Sequence, residues 1–149
     1  MTRSSAIVVA MFVLCACTAQ SPAASIVVEE QSPAAGAEGK LAQAVGIETL
    51  GGVFTPLLQA GCALPCSISQ VFSTAEDSQP HIDIRPFRGK CRLVAECHSL
   101  GSFRISGFSS MPRGEVSVTV TLRADLGRIT LSAEEAGSNS ALRVSRVAL

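Results

Sequence analysis

The chain has 149 residues, room for one domain with a real core. Lys and Arg number 12 and balance the 12 Asp and Glu, so the charge gives no sign of a nucleic-acid partner. Six Phe with no Tyr and no Trp argue against aromatic platforms for stacking sugars or single-stranded nucleic acid.

At the N-terminus, residues 1–5 carry one Arg, residues 6–14 are an unbroken apolar run, and small residues follow. This is the layout of an export signal, and the run is too short to span a bilayer as a stable helix. The next residues, Leu14-Cys15-Ala16-Cys17, resemble the bacterial lipobox, Leu-x-small-Cys. That resemblance implies a signal over residues 1–16 and makes Cys17 the lipidated first residue of a membrane-anchored chain. Cys15 stands off pattern, where a small and often hydroxylic residue is usual. Cleavage after Ala19 or Ala24, giving a soluble secreted chain, is the other reading. Either way the mature protein meets an oxidising compartment.

Residues 17–40 are rich in Ser, Pro, Ala, Gly and Gln without sustained periodicity. Their composition predicts a disordered linker, because such a segment buries too little surface to offset its ordering entropy. Its end-to-end distance would be roughly 25 Å. The apolar patch Ile26-Val27-Val28 is expected to make only transient contacts.

Residues 41–149 read as all-β. Val45 and Ile47 precede a Gly51-Gly52 turn, and Val53-Phe54-Thr55-Pro56-Leu57-Leu58 follows as a strand with Pro56 at an edge or bulge. Val71 and Phe72, then Ile82 and Ile84, with Phe87 after them, predict a hairpin around a polar loop at residues 73–80. Phe103 and Ile105, Val116 to Leu122 at every second position, Ile129 and Leu131, and Leu142 and Val144 continue the alternation. Residues 133–137 carry a short helical hint, and no segment beyond the signal predicts a long amphipathic helix. Regular short strands with one apolar face each predict a two-sheet antiparallel β-sandwich.

Gly46-Ile47-Glu48-Thr49-Leu50-Gly51-Gly52-Val53 resembles the start of the substrate-binding β-sandwich of the DnaK-type (seventy-kilodalton) heat-shock chaperones. The likeness continues through Ser69-Gln70-Val71-Phe72-Ser73-Thr74-Ala75-Glu76-Asp77-Ser78-Gln79, Ser99-Leu100-Gly101, Met111-Pro112-Arg113-Gly114 and Ile129-Thr130-Leu131-Ser132-Ala133. Several blocks in the right order make it specific. The resemblance implies a domain that holds an extended peptide by backbone hydrogen bonds and one apolar pocket. By matching position, Ile47, Val53, Phe72, Ile82 and Ile84 would line the pocket, and Leu50 and Ala75 would close an arch over the peptide. Thr49, Ser73 and Gln79 would lie where the two inner loops meet the peptide backbone. Inward Ile and Phe in a small sandwich are by default core residues, and what favours a pocket is the loop chemistry that matches along with them.

Parts of the family pattern have no counterpart here. There is no phosphate-binding motif, Glu38-Gly39-Lys40-Leu41-Ala42-Gln43 stands in place of the acidic-leucine interdomain linker, and no helical lid is expected after the sandwich. Asp77 and Arg113 match positions that help latch that lid. The expectation is a passive, ATP-independent binder with no cofactor and no bound nucleotide.

Four cysteines fall in the folded part: Cys62, Cys66, Cys91 and Cys97. Three pairings are possible. In the implied fold the local ones, Cys62–Cys66 and Cys91–Cys97, are favoured because the two loops should lie apart. A metal site built on these cysteines and His98 is the alternative, although the spacings fit no common zinc site. No nucleophile, carboxylate pair or cofactor motif is evident, so an enzyme is the least supported class. The functions left open are an exported, lipid-anchored holdase for unfolded proteins, an interaction lipoprotein with one fixed partner, and a decayed chaperone fragment.

Overall fold

In β9 (Val118–Asp125) every second side chain from Val118 to Ala124 is buried, and in β10 (Arg128–Glu135) Ile129, Leu131 and Ala133 repeat the pattern. A pleated strand with its aliphatic residues on one face must bury that face against a second layer. In the computed structural model, which describes residues 23–138 and 140–148, that is what happens. A tight turn at Leu126-Gly127, with Gly127 at φ +82°, joins the two strands. β1 (Ala24–Glu30) and β4 (Cys66–Phe72) flank them, giving an antiparallel sheet of order β1-β10-β9-β4.

The facing layer consists of two smaller sheets. One has the order β11 (Arg143–Val147), β8 (Ser102–Ser106), β5 (His81–Ile84). The other has β3 (Val53–Leu58), β2 (Val45–Thr49), β6 (Pro86–Arg88) and β7 (His98–Ser99). β5 and β6 are one run of chain interrupted at Arg85, whose carbonyl accepts the Glu48 N–H at 3.1 Å. The run pairs first with β8 and then with β2, and so holds the two small sheets in one layer. Phe103 and Ile105 on β8 are fully buried between the layers. At the sides, β11 lies against β1 and β3 against β4. The fold is the expected all-β sandwich.

Three local expectations are corrected. Residues 24–40 are not a disordered linker. β1 pairs along its length with β10 and bulges between Val27 and Glu29, and Val28 is only 2% exposed. Beyond it Ser32, Ala34 and Ala35 are buried, and the Arg146 guanidinium donates to the Val28 carbonyl at 2.7 Å. Small residues that read as a tether are small because they pack closely. Second, Phe72 and Ile82 do not belong to one hairpin. β4 pairs with β9 and β5 with β8, so residues 73–80 cross from one layer to the other. Each arm turns its apolar face to the same core from opposite sides. Phe87 likewise sits on β6 and pairs with β2. Third, residues 133–135 complete β10 rather than begin a helix, and the helical structure among the described residues is the 3-10 turn Val94–Glu96. The export signal and Cys17 lie outside the described residues.

Candidate functional site

Cross-strand pairing places Ile47 opposite Thr55 and Thr49 opposite Val53. All four therefore share the inner face of the β2–β3 hairpin. Ile47 is 7% exposed and belongs to the core, whereas Val53 is 42% exposed and Thr49 is open to solvent. The inner face is thus core at Ile47 and open two residues further on. Above it the turn at residues 49–52 closes with the Gly52 N–H donating to the Thr49 carbonyl at 3.1 Å. Gly51 and Gly52 adopt φ of +85° and +71°, conformations that suit residues without a Cβ. The turn leaves Leu50 fully exposed at its tip. The Thr49 hydroxyl donates to the Val53 carbonyl at 3.3 Å and lies 2.9 Å from the Thr55 hydroxyl, which stiffens the hairpin end.

The β5–β6 run is antiparallel to β2, so the loop at residues 73–80, which enters β5 at His81, lies at this same end of the sandwich. Phe72, half-buried at the end of β4, packs against the core cluster that contains Ile47, Ile82 and Ile84. Ile82 and Ile84 are 6% and 4% exposed, paired with Ile105 and Phe103. Ala75 is exposed on the loop. Its neighbours hold that loop in place. The Gln79 side-chain oxygen accepts the Ala75 N–H at 2.9 Å and the Glu76 N–H at 3.3 Å, and its nitrogen donates to the His81 carbonyl at 2.6 Å. The Ser73 hydroxyl donates to the Val116 carbonyl at 2.6 Å. Ser73 and Gln79, read as meeting a peptide backbone, thus spend hydrogen bonds inside the protein.

Sequence reasoning missed the second half of that brace. Thr74 is buried, and its carbonyl accepts the Gly114 N–H at 3.0 Å. The Ser78 N–H donates to the Met111 carbonyl at 3.0 Å, and the Arg113 backbone N–H donates to an Asp77 carboxylate oxygen at 2.9 Å. Asp77 therefore engages the backbone of Arg113. The signal was present in Thr74 and in the Met-Pro-Arg-Gly turn, two polar loops of matching capacity, but nothing local says that they meet.

On the outer face of the same layer, Arg104 clasps Asp83 through two hydrogen bonds of 2.8 and 2.9 Å. This guanidinium holds the Asp83 carboxyl below its ordinary range, partial burial opposing the shift and the His81 charge adding to it. Arg85 pairs with Glu48. Between these pairs and the 49–52 turn lies a shallow recess of about 350 Å³ lined by Glu48, Thr49, Leu50, Asp83 and Arg85. The cysteines lie in two separate local pairs. Cys62 and Cys66 have Cα atoms 6.4 Å apart and Cys91 and Cys97 5.7 Å apart, both within disulfide reach.

Comparison with known proteins bears on this geometry. A family model described as Hsp70 protein matches residues 41–146. The chain belongs to the Hsp70 family. The Chaperone protein DnaK of Mycoplasma mycoides subsp. mycoides is 38% identical over 96 residues, 64% of this chain and 16% of that relative. The chain thus corresponds to a small part of the relative's length. The part of Hsp70 that it matches contains the 49–52 turn, the 73–80 loop and its brace, and the apolar cluster beneath them, while β1 lies outside the matched residues.

Proposed function

We propose that this chain binds short, extended, apolar segments of unfolded proteins as a holdase, without nucleotide. The observation that carries the reading is the opening of the inner face between Ile47 and Val53. It lies at the end where Leu50 and Ala75 stand exposed, within residues matched to Hsp70. Ile47, Val53, Phe72, Ile82 and Ile84 supply aliphatic and aromatic surface that accepts a Leu or Ile side chain without demanding hydrogen bonds. Burying such a side chain stabilises a complex by roughly 1.5–3 kcal/mol. Backbone pairing to an extended segment adds affinity that is indifferent to sequence. Leu50 and Ala75 reach over the bound segment, with Thr49, Ser73 and Gln79 beside its backbone. Release is then set by the groove alone.

The same proposal places the protein at the cell envelope, exported by residues 1–16 and anchored to a membrane through lipid on Cys17. Its chemistry is binding, not turnover.

The test is fluorescence anisotropy with a labelled apolar heptapeptide. Saturable binding is expected, with affinity unchanged by ATP. Phe72→Ala should weaken binding about tenfold, equivalent to about 1.4 kcal/mol, and Ile82→Phe should fill the pocket and abolish binding. Absence of binding up to millimolar peptide would overturn the reading. Mass spectrometry of the mature N-terminus checks the anchor: a chain beginning at Cys17 with the added mass of a diacylglyceryl group is expected.

A further inference from the structure

β3 is the edge strand of its sheet, and the first residues of its free edge lie directly beneath the 49–52 turn. That edge is covered by a short piece of chain from the loop that follows β6. The Phe54 N–H donates to the Arg92 carbonyl at 2.9 Å, the Val94 N–H donates to the Gly52 carbonyl at 2.9 Å, and Val53 bridges Leu93 between them. Residues 92–94 thus act as a three-residue strand beside the base of the turn that carries Leu50. At the bridge itself the two facing side chains stay open to solvent, although Phe54 beside it is buried. Val53 is 42% and Leu93 47% exposed, and a recess of about 380 Å³ lined by Val53, Arg92, Leu93 and Glu96 opens beside them. The piece runs on into the 3-10 turn Val94–Glu96, and the pair Cys91 and Cys97, both half-buried, closes it from either side.

We infer that the Cys91–Cys97 disulfide is a redox control on the peptide groove. When oxidised, it clips residues 92–94 onto β3 and holds the 49–52 turn over a bound segment. When reduced, it frees the turn and speeds release. This deepens the holdase reading and rests on it. The chemistry needs a thiol reductant. One thiolate attacks either sulfur, forming a mixed disulfide and releasing the other cysteine as thiolate. A second thiolate then displaces the remaining cysteine. The products are two cysteine thiols and one oxidised thiol pair, two electrons having passed to the protein. A ring this short constrains mainly the loop it closes, so the effect is local to the turn. Cys62 and Cys66 provide an internal control, since they lie past the far end of β3, beside the start of β4.

The test compares the oxidised full chain, the same chain reduced by a dithiol, and the paired variants C91S/C97S and C62S/C66S. Two readouts are taken: hydrogen exchange at the Phe54 and Val94 amides without peptide, and the release rate of a labelled apolar heptapeptide. Reduction is expected to lower protection at both amides and to speed release several-fold. C91S/C97S should behave as reduced under all conditions, and C62S/C66S should retain the full response. Equal protection of the two amides in both redox states would overturn the clip. Lowered protection with unchanged release would overturn its control of the groove. Failure of the peptide to bind in either state would overturn the holdase reading and the control together. That outcome is distinguishable because amide protection is measured without peptide.

Discussion

Between β2 and β3 the backbone at Gly46 approaches so closely that a Cβ there would run into the Thr55 carbonyl and Pro56. The nearest atoms are main chain and cannot swing aside as the tip of a flexible side chain could. Gly46→Ala is therefore expected to push the two strands apart, costing roughly 1–3 kcal/mol or more and lowering the thermal unfolding midpoint by several degrees, as calorimetry would show. Because Ile47 is the next residue, the same substitution should also weaken heptapeptide binding. At Asp83 the argument is electrostatic. The Arg104 guanidinium holds its carboxyl below the ordinary range, so the folded-state value lies under the unfolded one. The pair's stabilisation is present above the ordinary carboxylate range and fades as pH falls through the folded value. Asp83→Asn should therefore lower stability at neutral pH and converge with the parent chain as pH falls through the folded value, flattening the acid limb measured by denaturant titration. The effect should be small, since both partners face solvent.

The strands themselves differ in how plainly the sequence announces them. β9 and β10 alternate apolar and polar residues with few interruptions and face one core, so period and burial agree. β1 does not. Its Ile26-Val27-Val28 is the β-branched run that a strand needs, but it stands among Ser, Pro and Ala, and composition alone reads as tether. What decides the matter is distant in sequence: the open edge of β10 supplies the hydrogen bonds, and Arg88 reaches from β6 to Glu29 at 3.3 Å and to Gln43 at 2.8 Å, tying β1 to the opposite layer. The candidate site divides in the same way. Its apolar members were visible from alternation and from the loop motifs between them, whereas the bracing of residues 73–80 by residues 111–116 depends on two loops meeting across the layers. β1 offers a direct check. Val28→Ala should cost roughly 1.5–3 kcal/mol of stability by denaturant unfolding, the value of a fully buried Val, whereas a residue in a disordered tether would cost nothing. An unchanged midpoint would contradict the packing of β1.

At the level of the whole molecule, β1 also fixes the end at which the chain enters the sandwich. Ala24 pairs with Ala133 near the end of β10, and β9 begins and β4 ends at that level. The chain therefore enters the sandwich at the end that carries residues 73–80 and their brace, and runs towards the turn at Leu126. From Cys17 to Ala24 is seven residues, a span of at most about 25 Å when fully extended. If Cys17 is lipidated as proposed, the groove end would be the membrane-proximal end, and the Leu126 turn would stand farther out by the length of β9, about 25 Å. A holdase mounted in this way would meet segments close to the bilayer surface before those free in solution. The arrangement can be measured on vesicles carrying the lipidated chain, with a fluorophore at Glu76→Cys or Leu126→Cys and a quencher in the lipid headgroups. Both positions are solvent-exposed, so neither label should disturb the core. Quenching is expected to be strong at residue 76 and weak at residue 126. Cleaving the segment before Ala24 should abolish the difference by releasing the sandwich, and stronger quenching at residue 126 would show that the domain tips over on its tether.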